Sequence, residues 1–267
     1  MNVAPKCNHF ISLSTWLIVG ALLLSTTGAT AEPVPGAGPF NLTLFHTNDT
    51  HSYFLPRPAV WRDDGRMVGG VIPLAWHLED QRRTTKADLL VDAGDFMTGN
   101  PVCNLEEDGV PGVAVARMMT ALGYDVGVVG NHEFDIGSDK TARLAGYFGF
   151  PLLAADIVDT KGRPVFRREP VILDKGGLNV GVIGCSCEGM AEVVPAAKFG
   201  GWSMTDQEAV VRQLAESIDH KTDLIVLITH NGVDADRELA RRLENSGVDV
   251  IVGGHSHTRL KEPELEG

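Results

Sequence analysis

Short runs of Val, Ile and Leu recur along the chain at residues 42–45, 88–91, 126–129, 152–157, 224–229 and 250–252. Each is too short for a helix, and most lack the strict alternation of a half-solvated strand. Such runs suit strands buried on both faces, as in a parallel sheet covered by helices. The segments 71–83, 111–122, 138–147, 206–220 and 234–246 read as helices, with Pro111 as a first-turn residue and Gly123 and Gly247 as stop signals. Between 163 and 186 the pattern changes. Two β-like segments, 165–173 and 179–185, flank Asp174-Lys175-Gly176-Gly177, a hairpin turn signal that predicts an antiparallel insertion. The alternation elsewhere predicts an α/β fold.

What ends the apolar runs changes the reading from fold to chemistry. The first is followed by Asp49 and His51, the second by Asp95, the third by Asn131 and His132, the run at 224–229 by His230, and the last by His255 and His257. In open α/β sheets the carboxyl ends of the strands are where ligands bind. Extended backbone alternates its side chains, so Asp49 and His51 are expected to point the same way, as are His255 and His257. Gly130 is expected to turn the chain sharply after the third strand. Asp135 follows His132 by three residues and is placed to hold one tautomer of that imidazole. Five of the nine histidines fall at these ends; His9, His46, His77 and His220 do not, and default to leader, supporting or surface roles.

Asp49, His51, Asp95, Asn131, His230, His255 and His257 make seven oxygen and nitrogen donors with no thiolate, more than one closed tetrahedral ion takes. The set suits two divalent ions such as Mn, Zn, Fe or Co, and its imidazoles argue against Ca or Mg. Two ions roughly 3.5 to 4 Å apart clamp a phosphoryl group, activate the attacking water and stabilise charge developing in line. His132 would then protonate the leaving oxygen, oriented by Asp135.

Charge and composition narrow the partners. Lys and Arg number 23 against 35 Asp and Glu, a net charge of −12 that argues against binding a nucleic acid polymer or an anionic membrane. An acidic enzyme acting on a small anion must supply local positive charge, and bound metal is one source. Residues 1–31 read as a secretory leader: Lys6, an apolar run over 10–24, and the small-residue pattern Ala29-Thr30-Ala31. The run is interrupted by Ser12, Ser14, Thr15 and Gly20, so cleavage and release to the periplasm or exterior are expected rather than a stable membrane anchor. Cys103, Cys185 and Cys187 are expected to be small buried residues, and a Cys185–Cys187 bridge would close a strained ring. The chain lacks the Gly-x-Ser-x-Gly elbow and the Gly-Lys-Ser/Thr phosphate loop. Asp234-Ala235-Asp236 is explained by the preference of acids for a helix N-terminus.

Asp49-x-His51, Gly94-Asp95, Gly130-Asn131-His132-Glu133, His230 and Gly254-His255-Ser256-His257 together resemble the motif set of calcineurin-like metallophosphoesterases. His46-Thr47-Asn48-Asp49, Gly94-Asp95-Phe96-Met97-Thr98-Gly99 and Gly130 through Asp135 are most similar to the 5′-nucleotidase and UDP-sugar hydrolase group. Met97-Thr98-Gly99 and Val129 stand where protein Ser/Thr phosphatases carry Asp-Arg-Gly and an arginine. The resemblance implies a four-layer sandwich, two mixed β-sheets face to face and flanked by helices. It places Asp49, His51, Asp95 and His257 on one ion and Asp95, Asn131, His230 and His255 on the other, with Asp95 bridging. It makes His132 and Asp135 the catalytic dyad and the substrate a small nucleotide or nucleotide-sugar phosphoester.

The domain reading is a leader over 1–31 and a catalytic domain over 32–267. Members of the group usually continue with further strands and a C-terminal nucleotide-gripping domain. The expectation here is a catalytic domain truncated at its C-terminal end and lacking that domain, either as a truncated or split gene product or with the specificity part supplied elsewhere. The rival expectations are a metal-binding remnant with little activity, or a hydrolase of cyclic nucleotides or sulfur-linked esters.

Overall fold

The computed structural model describes residues 40–266 and the backbone of two four-residue strands before them. Strands β1 (Asn41–Thr47), β2 (Asp88–Asp92), β3 (Val126–Val128) and β4 (Leu152–Leu153) run parallel in the order β4-β3-β2-β1. In a second sheet β5 (Val171–Asp174), β6 (Asn179–Gly184), β7 (Leu224–Ile228) and β8 (Val250–Gly253) lie in sequence order. There β6, β7 and β8 are parallel, and β5 is antiparallel to β6.

Alternation along each strand builds the layers. Leu42 and Leu44 of β1, Leu89 and Val91 of β2, and Val126 and Val128 of β3 meet Val180 and Val182 of β6, Val226 and Ile228 of β7, and Val250 and Val252 of β8 between the sheets. The opposite face of the first sheet, with Phe45 and Leu90, packs on α1 (Val71–Arg82), α2 (Val113–Leu122) and α3 (Ser138–Ala145) through Leu74, Leu78, Met119 and Leu144. Ile183, Ile225, Leu227 and Ile251 of the second sheet pack on α4 (Gln207–Ile218) and α5 (Val233–Arg242) through Val211, Leu214 and Leu239. Helix, sheet, sheet, helix is the expected four-layer sandwich. Each fully buried Val, Leu or Ile contributes about 1.5–3 kcal/mol, against about 0–1 kcal/mol for an exposed ion pair. Apolar packing therefore sets how the strand ends of one sheet stand against those of the other.

Local details depart from the sequence expectation. The 165–185 region is no insertion: its hairpin, with Asp174 opposite Asn179, forms the edge of the second sheet, and β6 is a parallel strand paired with β7. The run 152–157 splits, because Ile157–Val158 leaves the sheet to pair with Ser203–Met204. Pro111 pairs with Glu106 in a short ribbon, and α2 begins two residues later at Val113.

Two short strands fall within the expected leader. His9–Ser12 pairs parallel to β8 and antiparallel to Glu264–Leu265, and Leu22–Ser25 pairs antiparallel to β1. Both sheets are thus mixed. The rest of the leader and residues 32–39 lie outside the described residues. Among the described residues no helix is long and apolar enough to cross a membrane.

Candidate metal centre

The carboxyl ends of five strands converge, three from the first sheet and two from the second. Beyond β1 and β2 the chain keeps pairing: the amides of Asp49, His51 and Ser52 donate to the carbonyls of Gly94, Asp95 and Phe96, each at 2.9 Å. The backbone there is not extended. Asp49, His51 and Asp95 have φ of 49°, 45° and 58°, and His255 and His257 have 79° and 52°. Convergence therefore comes from left-handed turns and not from the expected strand alternation. Each such residue costs about 1–3 kcal/mol, a kind of strain that gathers at functional sites.

Candidate donor atoms of Asp49, His51 and His257 lie within 4.8 Å of one another, as do those of Asp95, His230 and His255. Asp95, a member of the second group, also forms a third group with His132 and with His51 of the first, so the two groups adjoin. Neighbouring carbonyls choose the tautomers. His51 Nδ1 lies 3.2 Å from the Met97 carbonyl and His230 Nδ1 2.6 Å from that of Ala93; a carbonyl only accepts, so Nδ1–H donates in both. The Nε2 atoms are left facing inward, the arrangement that orients imidazole ligands. His51 Nε2 is 3.3 Å from His257 Nε2, which is 3.3 Å from Asp49 Oδ1.

His230 Nε2 approaches Asp95 Oδ2 at 3.0 Å without hydrogen-bond alignment, and like Asn131 Oδ1 it is buried with no hydrogen-bond partner among the described residues. Buried polar atoms left unpaired cost about 1–3 kcal/mol each. A divalent cation answers both, and the mixed oxygen and imidazole donor set fits one. Burial opposes charge on His230, but the Asp95 and Asp49 carboxylates outweigh it and draw its pKa up to about 10. Burial likewise opposes charge on Asp95, and the adjacent His230 holds it well below the usual carboxylate range. Burial lowers the pKa of His51 and His255, which favours the neutral form a ligand needs.

His132 and Asp135 sit on a single 3-10 turn, His132–Ile136, at the rim. His132 Nδ1 is 2.8 Å from Asp135 Oδ2, which also accepts from the Thr98 hydroxyl at 2.6 Å. Lys198 Nζ donates to the Asp135 carbonyl at 2.6 Å. The amide of His132 donates to Asp95 Oδ1 at 2.8 Å, tying this turn to the Asp95 carboxylate.

The family model of calcineurin-like phosphoesterases matches residues 42–259. The chain belongs to this family. A probable 5′-nucleotidase of Treponema pallidum is 31% identical over 237 residues, covering 86% of this chain and 39% of its own length. The 5′-nucleotidase of Bos taurus is 33% identical over 242 residues, covering 85% and 40%. The solved 5′-nucleotidase precursor of Thermus thermophilus superposes with a TM-score of 0.72 at 31% identity, over 82% of this chain and 42% of that one. This calcineurin-like chain thus spans about two-fifths of the length of these relatives.

All nine residues singled out from the sequence lie at this edge of the sandwich. Gly130 is there for a different reason from the one expected. Its φ is not left-handed, but a Cβ on it would collide with Asp95 Oδ1 and lie 2.9 Å from His230 Nε2. His46 is fully buried, and burial lowers its pKa to about 4. Supporting residues were missed: Thr98, Asn48, whose amide donates to Asp49 Oδ2 at 2.5 Å, and above all Glu133. Thr98 and Glu133 belong to the quoted motifs, yet nothing in their residue type announces a partner. Cys103, Cys185 and Cys187 are free and buried, as expected. Asp234 and Asp236 do lie in the first turn of α5, where Asp236 is also a buried acceptor for Thr229 and Asn231.

Proposed function

We propose that this chain is a di-metal phosphoesterase releasing phosphate from nucleotides, as a 5′-nucleotidase does, or splitting nucleotide-sugar diphosphates. The observation that carries the reading is the gathering of donors from two sheets around Asp95, with His132 and Asp135 beside them. Asp49, His51, Asp95 and His257 would hold one ion, and Asp95, Asn131, His230 and His255 the other. When bound, divalent ions of this kind neutralise the phosphoryl oxygens and supply a nucleophile at neutral pH.

The chain's own part is placement and proton transfer. Left-handed turns and backbone pairing fix the donors before any ligand arrives. His132 gives a proton to the leaving oxygen from Nε2. Its Nδ1–H is directed at Asp135, which stabilises the imidazolium, and Thr98 holds Asp135 in place. The relatives named as 5′-nucleotidases support the nucleotide class.

The leader pattern supports export to the periplasm or exterior, and cleavage near Ala31 would remove both strands that precede β1. N-terminal sequencing of the exported protein tests that.

The function is tested by metal content and by phosphate release from 5′-AMP, a nucleotide sugar and an aryl phosphate, with and without chelator. About two ions per chain and chelator-sensitive release are expected. Chelator-resistant release, or metal with no turnover on any of the three, would overturn the proposal.

A further inference from the structure

We propose that Glu133 is the positioning residue of the metal centre: its buried side chain holds the backbone that presents Asp95. The inference rests on the metal reading above and concerns a residue that binds neither metal nor substrate in that reading.

Glu133 is 1% exposed and reaches across to the loop after β2. Its Oε2 accepts from the Asp95 amide at 3.1 Å and from the Gly130 amide at 2.6 Å; its Oε1 accepts from the Met97 amide at 3.0 Å. One carboxyl group thus pairs three buried backbone donors on two loops. One of the three belongs to Asp95 itself.

Among the described residues, the amides of Asp95, Met97 and Gly130 donate to no backbone carbonyl. The Gly94, Asp95 and Phe96 carbonyls are committed to the amides of Asp49, His51 and Ser52. The loop is therefore clamped from both sides, by the first loop through its carbonyls and by Glu133 through its amides. Asp95 has a φ of 58° and follows Gly94 at 89°, so two successive left-handed residues depend on this clamp. Gly130 in turn approaches Asp95 and His230 so closely that no Cβ fits there, which places the third amide held by Glu133 directly against two donor groups. A glutamate at 133 is suited to this work because its two carboxyl oxygens can accept all three N–H groups, and when ionised it donates to none. A glutamine would turn an amide NH2 toward at least one of them.

The deciding experiment titrates the protein with Mn2+ and follows the loss of the free-ion EPR signal for the parent, Glu133→Gln and Glu133→Asp, with circular dichroism and chelator-treated melting in parallel. Asp keeps the carboxyl group but shortens the reach. Both variants are expected to keep the parent's circular dichroism and lose roughly tenfold or more in Mn2+ affinity, as removal of groups supporting metal ligands typically does. A variant that melts lower in chelator yet binds Mn2+ like the parent would overturn the inference, leaving Glu133 a general structural residue. If Glu133→Gln does not fold, Glu133→Asp alone decides by the same criterion. A parent that binds no Mn2+ would instead sink the metal reading, so the two failures are distinguishable.

Discussion

His230, at the end of β7, places its Nε2 3.0 Å from Oδ2 of Asp95, at the end of β2, although the two strands belong to different sheets. Neither sheet holds a complete donor set alone. The second sheet contributes His230, His255 and His257, and the first contributes both aspartates, His51 and Asn131. The distance between the groups is therefore set by the apolar layer between the sheets, which runs up to Ala93, whose carbonyl meets His230 Nδ1.

The dyad and the donors make separable contributions. Asp95→Ala removes the carboxylate that the proposed reading places on both ions, and is expected to lose bound metal as well as turnover. His132→Ala should keep metal content and lose turnover by roughly 10²–10⁴-fold, the usual worth of a general acid. Metal analysis beside initial rates checks both; equal metal loss in the two variants would refute this division.

Metal binding should strengthen as pH rises. The proton that Asp95 and Asp49 attract to His230, whose pKa is drawn up to about 10, occupies the nitrogen a cation needs. If one proton is displaced, apparent Mn2+ affinity should rise by about tenfold per pH unit between about pH 6 and 8. A pH-independent affinity would show that no proton is exchanged. Chelation should also lower the melting temperature, since a ligand at 100 times its Kd stabilises by about 2.7 kcal/mol.

Much of this was legible in the sequence because burial leaves a plain trace. Runs such as Leu89 to Val91 and Ile225 to Ile228 are apolar throughout because both strand faces are covered, and polar residues that interrupt them stand out. What the pattern hid was local geometry and backbone traffic. Asp49 and His51 were expected on extended backbone, but no side-chain pattern reports that Asp49 turns left-handed. Glu133 looked like any glutamate after a histidine, because its partners are three amides that every sequence possesses. The hairpin ahead of β6 was legible as a hairpin; its membership of the second sheet depends on long-range pairing with β7.

The coupling between packing and site predicts an effect at a distance. Gly184, at the end of β6, lies where a Cβ would collide with Leu153 and come within 2.8 Å of Val128 Cγ1 in the facing sheet. Gly184→Val should destabilise the fold by about 1–3 kcal/mol through overpacking. It should also weaken Mn2+ binding, although no donor is touched. Denaturant unfolding and the same titration measure both; unchanged metal affinity in a destabilised variant would show that the sheets yield without moving their ends.

A last prediction concerns a buried acid outside the donor set. Asp236 is fully buried on α5, and its Oδ1 accepts from the Thr229 hydroxyl at 2.6 Å and from Asn231 Nδ2 at 3.2 Å, while Oδ2 has no hydrogen-bond partner. Burial pushes its pKa up to about 7, against about 3.9 for an unfolded aspartate. The folded state thus binds more protons than the unfolded state between these values, and unfolding free energy must fall as pH rises through that window. The full contribution is present below about pH 4 and is lost by the time the pH has passed about 7, at most about 4 kcal/mol for three units. Asp236→Asn keeps an acceptor at Oδ1 and removes the titration, though its buried amide nitrogen lacks an acceptor and lowers stability at every pH. In chelator, the stability of Asp236→Asn relative to the parent should therefore climb from about pH 4 to about pH 7 and level off above it. A difference that stays flat across denaturant melts in that range would mean that Asp236 stays ionised in the fold without penalty.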